Sequence, residues 1–548
     1  MSALAAAVDA RLAAWAAEGF VERLWAHDAS LWAASGTPVE ELGRWLGWLD
    51  LPEQMPRRVG ALTRLAREVR ADGYTRAAVL GMGGSSLAPD LCARLFLPGP
   101  GDPELRVLDT THPDAVRAFV AWARAARTLL VVSSKSGTTA ETLAFQAALA
   151  EVAPALDFVV ITDPGTPLAD LARAMEVRAI VEGQPDVGGR YSALSPFGLL
   201  PMALLGIDLD RLLFSAASMA GACHAPPADN PGLRLGAFLG EAALAGRDKL
   251  TLVVSTSLGG LAEWIEQLVA ESTGKAGRGI LPVVGEPLGA PDAYGADRAF
   301  VGVGLAGEED PADEVLLTAL EKRGHPVLRL RLGEPLAIGA EFVRWEIGVA
   351  TAGAILGINP FDQPNVTEAK AATGALLEAY RRDGHLPEPD PMPTTVAANA
   401  PGNDAAAVRE LLASLRAGDY LAILAYAPPE MPTADALDRI RVAVRDRLRV
   451  ATTSGIGPRY LHSTGQLHKG GPNTGAYLLL TVEPRRDLPI PGAAETFGTL
   501  IRAQALGDLA ALRSGGRRVA HLHLPDPTGG LARVEELVDA ALAGLTPL

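Results

Sequence analysis

Cysteine is nearly absent: Cys92 and Cys223 are the only two in 548 residues. Two thiols in so long a chain exclude a disulfide framework and fit a reducing, cytoplasmic setting. Aromatic residues are scarce, at 5 %, although 48 % of the chain is hydrophobic, because Ala and Gly supply much of that share. No uninterrupted apolar run approaches the roughly twenty residues that a membrane helix needs. The opening MSALAAAVDARLAAWAAEGF lacks the basic start and clean apolar core of a signal peptide and reads as a helix. Positive charge is in deficit as well, with a formal net charge of −15 and a pI near 5.2. A field of that sign argues against a nucleic-acid partner, whereas a local pocket of dipoles and a few cations still accommodates an anionic metabolite. His462 and His468 lie near no Cys or carboxylate cluster, so no metal site is expected.

Against that background the stretch SSKSGTTAET, residues 133–142, stands out. RTLLVV before it has the apolar, β-branched ending of a buried parallel strand. After it, Ala140, Leu143, Ala144, Ala147 and Ala148 are spaced for one face of a helix. Thr138 and Glu141 have the spacing of a capping box, which fixes the helix start. Between strand and helix, Ser134, Lys135, Ser136, Gly137, Thr138 and Thr139 offer hydroxyls, an ammonium, a permissive Gly and free N–H groups at a positive helix end. That combination suits a dianionic phosphate; it also suits an ordinary Ser/Thr-rich turn that binds nothing. The stretch has neither GxxxxGK[ST] nor GxGxxG spacing, which disfavours a nucleotide.

Residues 1–75 read as amphipathic helices, with Trp15, Trp25 and Trp45 as core or interface anchors. From 76 to 215, strands and helices alternate, as in TRAAVLGMGGSSLAPD and DFVVITDPGTPLADLA, which predicts a doubly wound parallel sheet. In its first turn Gly81, Gly83 and Gly84 let the backbone approach a ligand, and Ser85 and Ser86 sit at the helix mouth. The pattern recurs at KLTLVVSTSLGGLAEWIEQLVAESTGKAG, predicting a second such domain over 216–385, with ligands where the Ser/Gly turns meet. Residues 386–404, rich in Pro, Ala and Asn, read as a linker. Over 405–548, DYLAILAYA, GAYLLLTVEP and RRVAHLHL alternate with helices. The expected class is α/β: two doubly wound parallel sheets, an N-terminal helical segment and a C-terminal α/β segment.

Leu261, Trp264, Ile265, Leu268 and Val269 make an apolar stripe. Gln267 and Glu271, four apart, are neighbours beside it. Gly274 ends this helix, which places Glu271 in the last turn. There the negative helix end and partial burial raise a carboxylate toward the pKa of a general acid/base; a surface glutamate near a helix terminus is the plain alternative. Arg190, behind Gly188 and Gly189, is placed for an oxyanion or for a structural ion pair. In GINPFDQPNVTEAK, 357–370, Asp362 and Gln363 are candidates to position hydroxyls. Lys370 is a catalytic ammonium or a solvated helix lysine, and His468 reads as structural.

Together these stretches resemble one family, the phosphoglucose isomerases, built on paired sugar-isomerase (SIS) domains. GMGGSS is similar to its first glycine–serine turn, SSKSGTTAET to its phosphate loop and VGGRYSALSPFG to its first signature. AESTGK is similar to the segment carrying its base, GINPFDQPNVTEAK to its second signature and LHSTGQ to the helix carrying its histidine. The resemblance implies an aldose–ketose isomerase that interconverts glucose 6-phosphate and fructose 6-phosphate through an enediolate, with no cofactor. It implies Glu271 as the base, Arg190 facing the enediolate, and His462 and Lys370 serving ring opening. Ser134, Ser136, Thr138 and Thr139 would hold the phosphate with Lys135 nearby. Ser85 and Gln363 would contact the sugar, with Gly84 at the close approach, and Gln267 would stand beside the base. A cytoplasmic homodimer is implied as well. The alternatives are an isomerase for another hexose phosphate, such as mannose 6-phosphate, or a non-catalytic SIS-type sensor, which needs no Glu271–Arg190–Lys370 set.

The chain departs from the family pattern in two respects. Asn365 stands where Gly or Ala is usual, and Thr367 where Glu is usual. His462 follows Lys370, whereas the family's histidine segment precedes its lysine. TFGTLIRAQALGDLAALRSGG, from 496, also resembles a segment that normally comes before the lysine. In this the chain is similar to the isomerase half of fused transaldolase–phosphoglucose isomerase proteins. Residues 386–548 would then be a rearranged continuation, with His462 entering its own site or a partner's.

Overall fold

Runs such as LLVV and FVVI are apolar at every position, so a strand built from them must be covered on both faces. The computed structural model describes residues 3–150, 157–396, 404–429 and 431–548, and it meets that demand in three parallel sheets. The first contains β1 (Arg76–Leu80), β2 (Glu104–Leu108), β3 (Thr128–Ser133), β4 (Phe158–Thr162) and β5 (Ala179–Glu182). Their order is β2-β1-β3-β4-β5. Ala77, Val79, Leu129 and Val131 enter one core together with Trp15, Trp32 and Trp48 of the N-terminal helices. Ala78, Leu80, Leu130 and Val132 enter the other. The order reverses between β1 and β3, and there the two turns singled out in the sequence leave the sheet side by side.

The second sheet contains β6 (Lys249–Val254), β7 (Leu281–Val283), β8 (Arg298–Leu305) and β9 (Val327–Leu332), in the order β7-β6-β8-β9. The helix Gly259–Thr273 after β6 buries Leu261, Trp264, Ile265, Leu268 and Val269, as the stripe required. The third Ser/Gly turn does not join the other two, contrary to the expectation that ligands gather where all of them meet. Ser255 bonds the Leu305 amide and the Glu308 carbonyl, and Ser257 the Glu308 carboxylate. The reason is direction: the helix runs back toward the amino ends of its strands, so its tail, not the turn at its head, carries Glu271.

The third sheet extends the C-terminal segment beyond the three strands foreseen. It contains β10 (Thr394–Thr395), β11 (Tyr420–Tyr426), β12 (Ala451–Ile456), β13 (Gly475–Val482) and β14 (Arg518–Leu524), in the order β10-β14-β13-β11-β12. The stretch read as a linker thus supplies an edge strand; its residues 397–403 lie outside the described residues. Leu421, Ile423 and Ala425 face one core with the helices Asp404–Ala413, Met431–Leu448 and Pro527–Leu542. Tyr420, Ala422 and Leu424 face another, which includes Ala270 of the Glu271 helix and Leu281 and Val283 of β7. The helix Phe497–Ser514 is shared: Phe497 and Leu500 pack with the first sheet's core, Ile501 and Leu509 with the third's. Among the described residues no helix is long and apolar enough to cross a membrane.

A buried charge cluster ties the second sheet to the third. Glu286, after β7, accepts from Arg298 at 3.0 Å and from Thr452 Oγ1 at 2.7 Å, with Arg445 at 3.9 Å. Arg441 reaches the neighbouring Gly285 carbonyl at 3.0 Å. Burial alone would raise this carboxyl, but Arg298 and Arg441 hold it below the ordinary carboxylate value. Its contribution is therefore present at neutral pH and is lost as pH falls through the folded pKa. Removing one partner strands the others, which typically costs about 3–5 kcal/mol. Glu286→Ala is expected to lower the thermal unfolding midpoint strongly at neutral pH, and less at acid pH, in scanning calorimetry.

Candidate active site

The helices Leu87–Leu95 and Gly259–Thr273 pack together in opposite directions. A Cβ on Gly260 would lie 2.7 Å from the Leu91 Cα, and one on Gly83 would lie 2.9 Å from Gln267 Nε2. The tail of one helix therefore meets the turn at the head of the other. Gly274 closes the tail, leaving Glu271 buried beside that turn. Gln267 Nε2 donates to Glu271 Oε2 at 3.0 Å.

Arg190 reaches the same carboxylate, with Nη1 3.7 Å from Glu271 Oε2. The residue sits in the turn Gly189–Tyr191, whose Gly189 carbonyl would stand 1.9 Å from a Cβ on Gly84. The two glycine turns are thus in backbone contact. Nε of Arg190 donates to Ser272 Oγ at 2.9 Å, Nη1 to Gln363 Oε1 at 2.9 Å, and Nη2 to the carbonyls of Pro360 and Asp362 at 2.7 and 2.8 Å. A guanidinium has five N–H donors. Four have protein partners among the described residues, and the fifth is on Nη1, the nitrogen nearest Glu271.

On the other side of Gly83 lies His462. A Cβ on that glycine would fall 3.2 Å from the His462 Cβ as well as near Gln267. His462 ends the turn Arg459–His462, which is pinned twice. Arg459 pairs with Asp90, Asp109 and Glu263 at 3.0, 2.9 and 2.6 Å. Tyr460 donates to the buried Asp508 at 2.6 Å. His462 Nε2 meets Glu141 Oε1 at 3.0 Å, and Gln504 Nε2 donates to the same oxygen at 2.8 Å. Burial alone would raise the Glu141 carboxyl; the His462 imidazole and its hydrogen bond, with Lys370 beyond, bring it below its ordinary value. Glu141 therefore does not close the capping box that its spacing suggested, and the Thr138 amide bonds Ser136 Oγ at 3.3 Å instead.

A cavity of about 270 Å³ opens at this point, lined by Thr138, Thr139, Glu141, Lys370, His462 and Gln504 among others. In the loop above it Ser134 is buried and bonds Thr139 Oγ1 at 2.9 Å, while Ser136 bonds Thr138 Oγ1 at 3.0 Å. Gly137 takes φ +68°, a conformation that a side chain would strain, and its Cβ would meet Thr166 at 2.8 Å. Ser85 is buried in the Gly83–Ser85 turn. Lys135 turns elsewhere: its ammonium binds Asp163 at 2.5 Å and the Gln184 carbonyl at 2.8 Å.

The sequence-level candidates therefore form two adjoining groups. Thr138, Thr139, Lys370 and His462 share the cavity, and Glu271, Gln267, Arg190 and Gln363 form a cluster joined to it at Gly83. Asp362, a candidate to position hydroxyls, instead accepts from Lys275 Nζ at 2.7 Å. Four participants were not singled out from sequence: Glu141, Ser272, Lys275 and Gln504. All four lie inside quoted stretches, Glu141 in TTAET, Ser272 and Lys275 in AESTGK and Gln504 in TFGTLIRAQALGDLAALRSGG, but Gln504 meets Glu141 only across 363 residues of chain. The departure at Asn365 also has a partner, since Gln466 Nε2 donates to Asn365 Oδ1 at 2.8 Å and to the Gly274 carbonyl at 2.9 Å. Gly84→Ala is expected to destabilise the chain by about 1–3 kcal/mol through overpacking, read as a lower midpoint in chemical denaturation.

A family profile, phosphoglucose isomerase, matches residues 70–279. The chain is 31 % identical over 402 residues to the glucose-6-phosphate isomerase of Rubrobacter xylanophilus, covering 63 % of this chain and 91 % of that protein. It is 30 % identical over 392 residues to the enzyme of the same name from Thermus thermophilus, covering 62 % and 91 %. Among solved structures, a hypothetical protein from Thermus thermophilus superposes with a TM-score of 0.58 at 27 % identity, covering 68 % of this chain and 97 % of that one.

Proposed function

The chain belongs to the phosphoglucose isomerase family, and on that premise we propose how its own residues carry the reaction. It is an aldose–ketose isomerase that interconverts glucose 6-phosphate and fructose 6-phosphate. The phosphate sits on the hydroxyls of Ser134, Ser136, Thr138 and Thr139, at the positive head of the helix Ala140–Ala150. Binding energy from that remote group holds the reacting carbons in place. With Lys135 committed to Asp163, the hydroxyls and helix end carry this task, and Lys135 braces the loop.

His462 opens the ring together with Lys370. Its Nε2 faces the Glu141 carboxylate, which fixes the tautomer and leaves the other ring nitrogen to accept the hydroxyl proton. Lys370, on the cavity wall, supplies the proton to the ring oxygen. Ser85 and Gln363 orient the open sugar, and Gly84 lets the Arg190 turn close against the first glycine turn. Glu271 then takes the proton from carbon 2. The electron pair forms the carbon 1–carbon 2 double bond, and negative charge falls on oxygen 1, where the uncommitted Nη1–H of Arg190 meets it. Returning the proton to carbon 1, as a proton passes from oxygen 2 to oxygen 1, gives the ketose. The observation that carries this reading is the buried Glu271–Arg190 pair at 3.7 Å with one guanidinium N–H to spare.

The His462–Glu141 contact within one chain supports a site built from a single copy. A homodimer in a cytoplasmic setting, expected from the resemblance, would carry two complete sites.

Glu271→Gln is expected to bind the sugar phosphate while losing about 10²–10⁴-fold in turnover, together with exchange of solvent deuterium at carbon 2. Deuterium incorporation at the wild-type rate would remove Glu271 from the role of base. In a second test, Glu271→Gln chains are mixed with His462→Ala chains and assayed. No activity should return, since each chain builds its own site; recovered turnover would show that the histidine comes from a neighbouring chain.

A further inference from the structure

Lys275 has no part in the reaction as derived, yet it sits against the groups that perform it. Its side chain is only 6 % exposed. Nζ donates to the Asp362 carboxylate at 2.7 Å and also to the Asp362 carbonyl. That carbonyl accepts Arg190 Nη2 at 2.8 Å, and the next residue, Gln363, accepts Arg190 Nη1. Two cations thus converge on one backbone oxygen.

Stability does not account for this arrangement. Burial first, and the Arg190 charge second, push the Lys275 ammonium down to about 7, against the attraction of Asp362 and Glu271. An apolar side chain of like volume would fill the space without placing a second cation beside Arg190, and such replacements of buried charge are often neutral or stabilising. What an apolar side chain would not do is hold Asp362. That carboxylate belongs to the residue whose carbonyl Arg190 already binds. Released, it is a second anion beside the guanidinium, one residue from the Gln363 that Arg190 Nη1 binds, and competes there with the developing oxyanion.

We infer that Lys275 is a positioning residue for the isomerisation: by holding the Asp362 carboxylate it keeps the Pro360–Gln363 turn in place and the last Arg190 N–H open to the developing oxyanion. This rests on the roles proposed above for Arg190 and Glu271. It assigns a function to the final residue of AESTGK independent of helix termination.

The test is Lys275→Met, with the double variant Lys275→Met/Asp362→Asn. The single variant should lower kcat by about tenfold or more with KM within about threefold, since the phosphate loop is untouched. The double variant should recover much of that loss, because a neutral amide competes weakly for the guanidinium; a merely structural lysine predicts no such rescue. Should Lys275→Met fail to fold, Lys275→Gln puts the same question with a side chain that can still bond. An active wild type with kcat of the single variant within about twofold, or a double variant no faster than the single, overturns the inference. A wild type without isomerase turnover would instead overturn the functional reading.

Discussion

The helix that carries Glu271 can approach the first glycine turn only because backbone, not side chain, occupies the crossing. Gly260 lies against Leu91, Gly84 against the Gly189 carbonyl, and a Cβ on Gly274 would stand 2.3 Å from the Leu467 Cα. None of these three glycines has a positive φ. What they provide is space. A methyl group at any of them would separate segments whose contact defines the site, so the geometry of Glu271, Arg190 and His462 is set by close approach at points with no chemistry of their own. The antiparallel run of the two helices turns that approach into function, bringing one helix's tail to another's head.

The third sheet acts as both cover and contributor. Its inward face packs on Ala270 and on β7, directly behind the Glu271 helix. Gln466 binds the Gly274 carbonyl at that helix's end and the Asn365 side chain at the start of the Lys370 helix. Asn365 thus answers a residue of the C-terminal segment. The curated relatives are matched over about three fifths of this chain, 63 % for the Rubrobacter protein, so a large share of the molecule has no counterpart in that match.

Features whose cause is local were legible in the sequence. The loop at 133–139 follows from a strand, a Ser/Thr/Gly turn and a helix head close together, and the place of Glu271 follows from an apolar stripe closed by Gly274. Features that depend on distant partners were not. Glu141 has the spacing of a cap, and only the arrival of His462 and Gln504 from more than three hundred residues away draws it elsewhere. Lys135 looked like a phosphate ligand because Asp163 and Gln184, its actual partners, belong to the next β–α units. In the third sheet, ATTSGI and the TT of the Pro-rich stretch escaped as strands because both lie at edges and carry polar residues where the inner strands have an apolar run.

The position of His462 has a consequence for the chain during its synthesis. The Ser/Thr loop at 133–139, Arg190 and Glu271 all emerge from the ribosome before the last third of the protein exists, and domains generally form in that order. The imidazole comes later, on a turn held by a tyrosine whose carboxylate partner, Asp508, is later still. On the roles proposed above, a nascent or truncated chain can shape an anion cradle and a base while lacking the group that opens the sugar ring. The His462–Glu141 contact forms only when the final sheet closes.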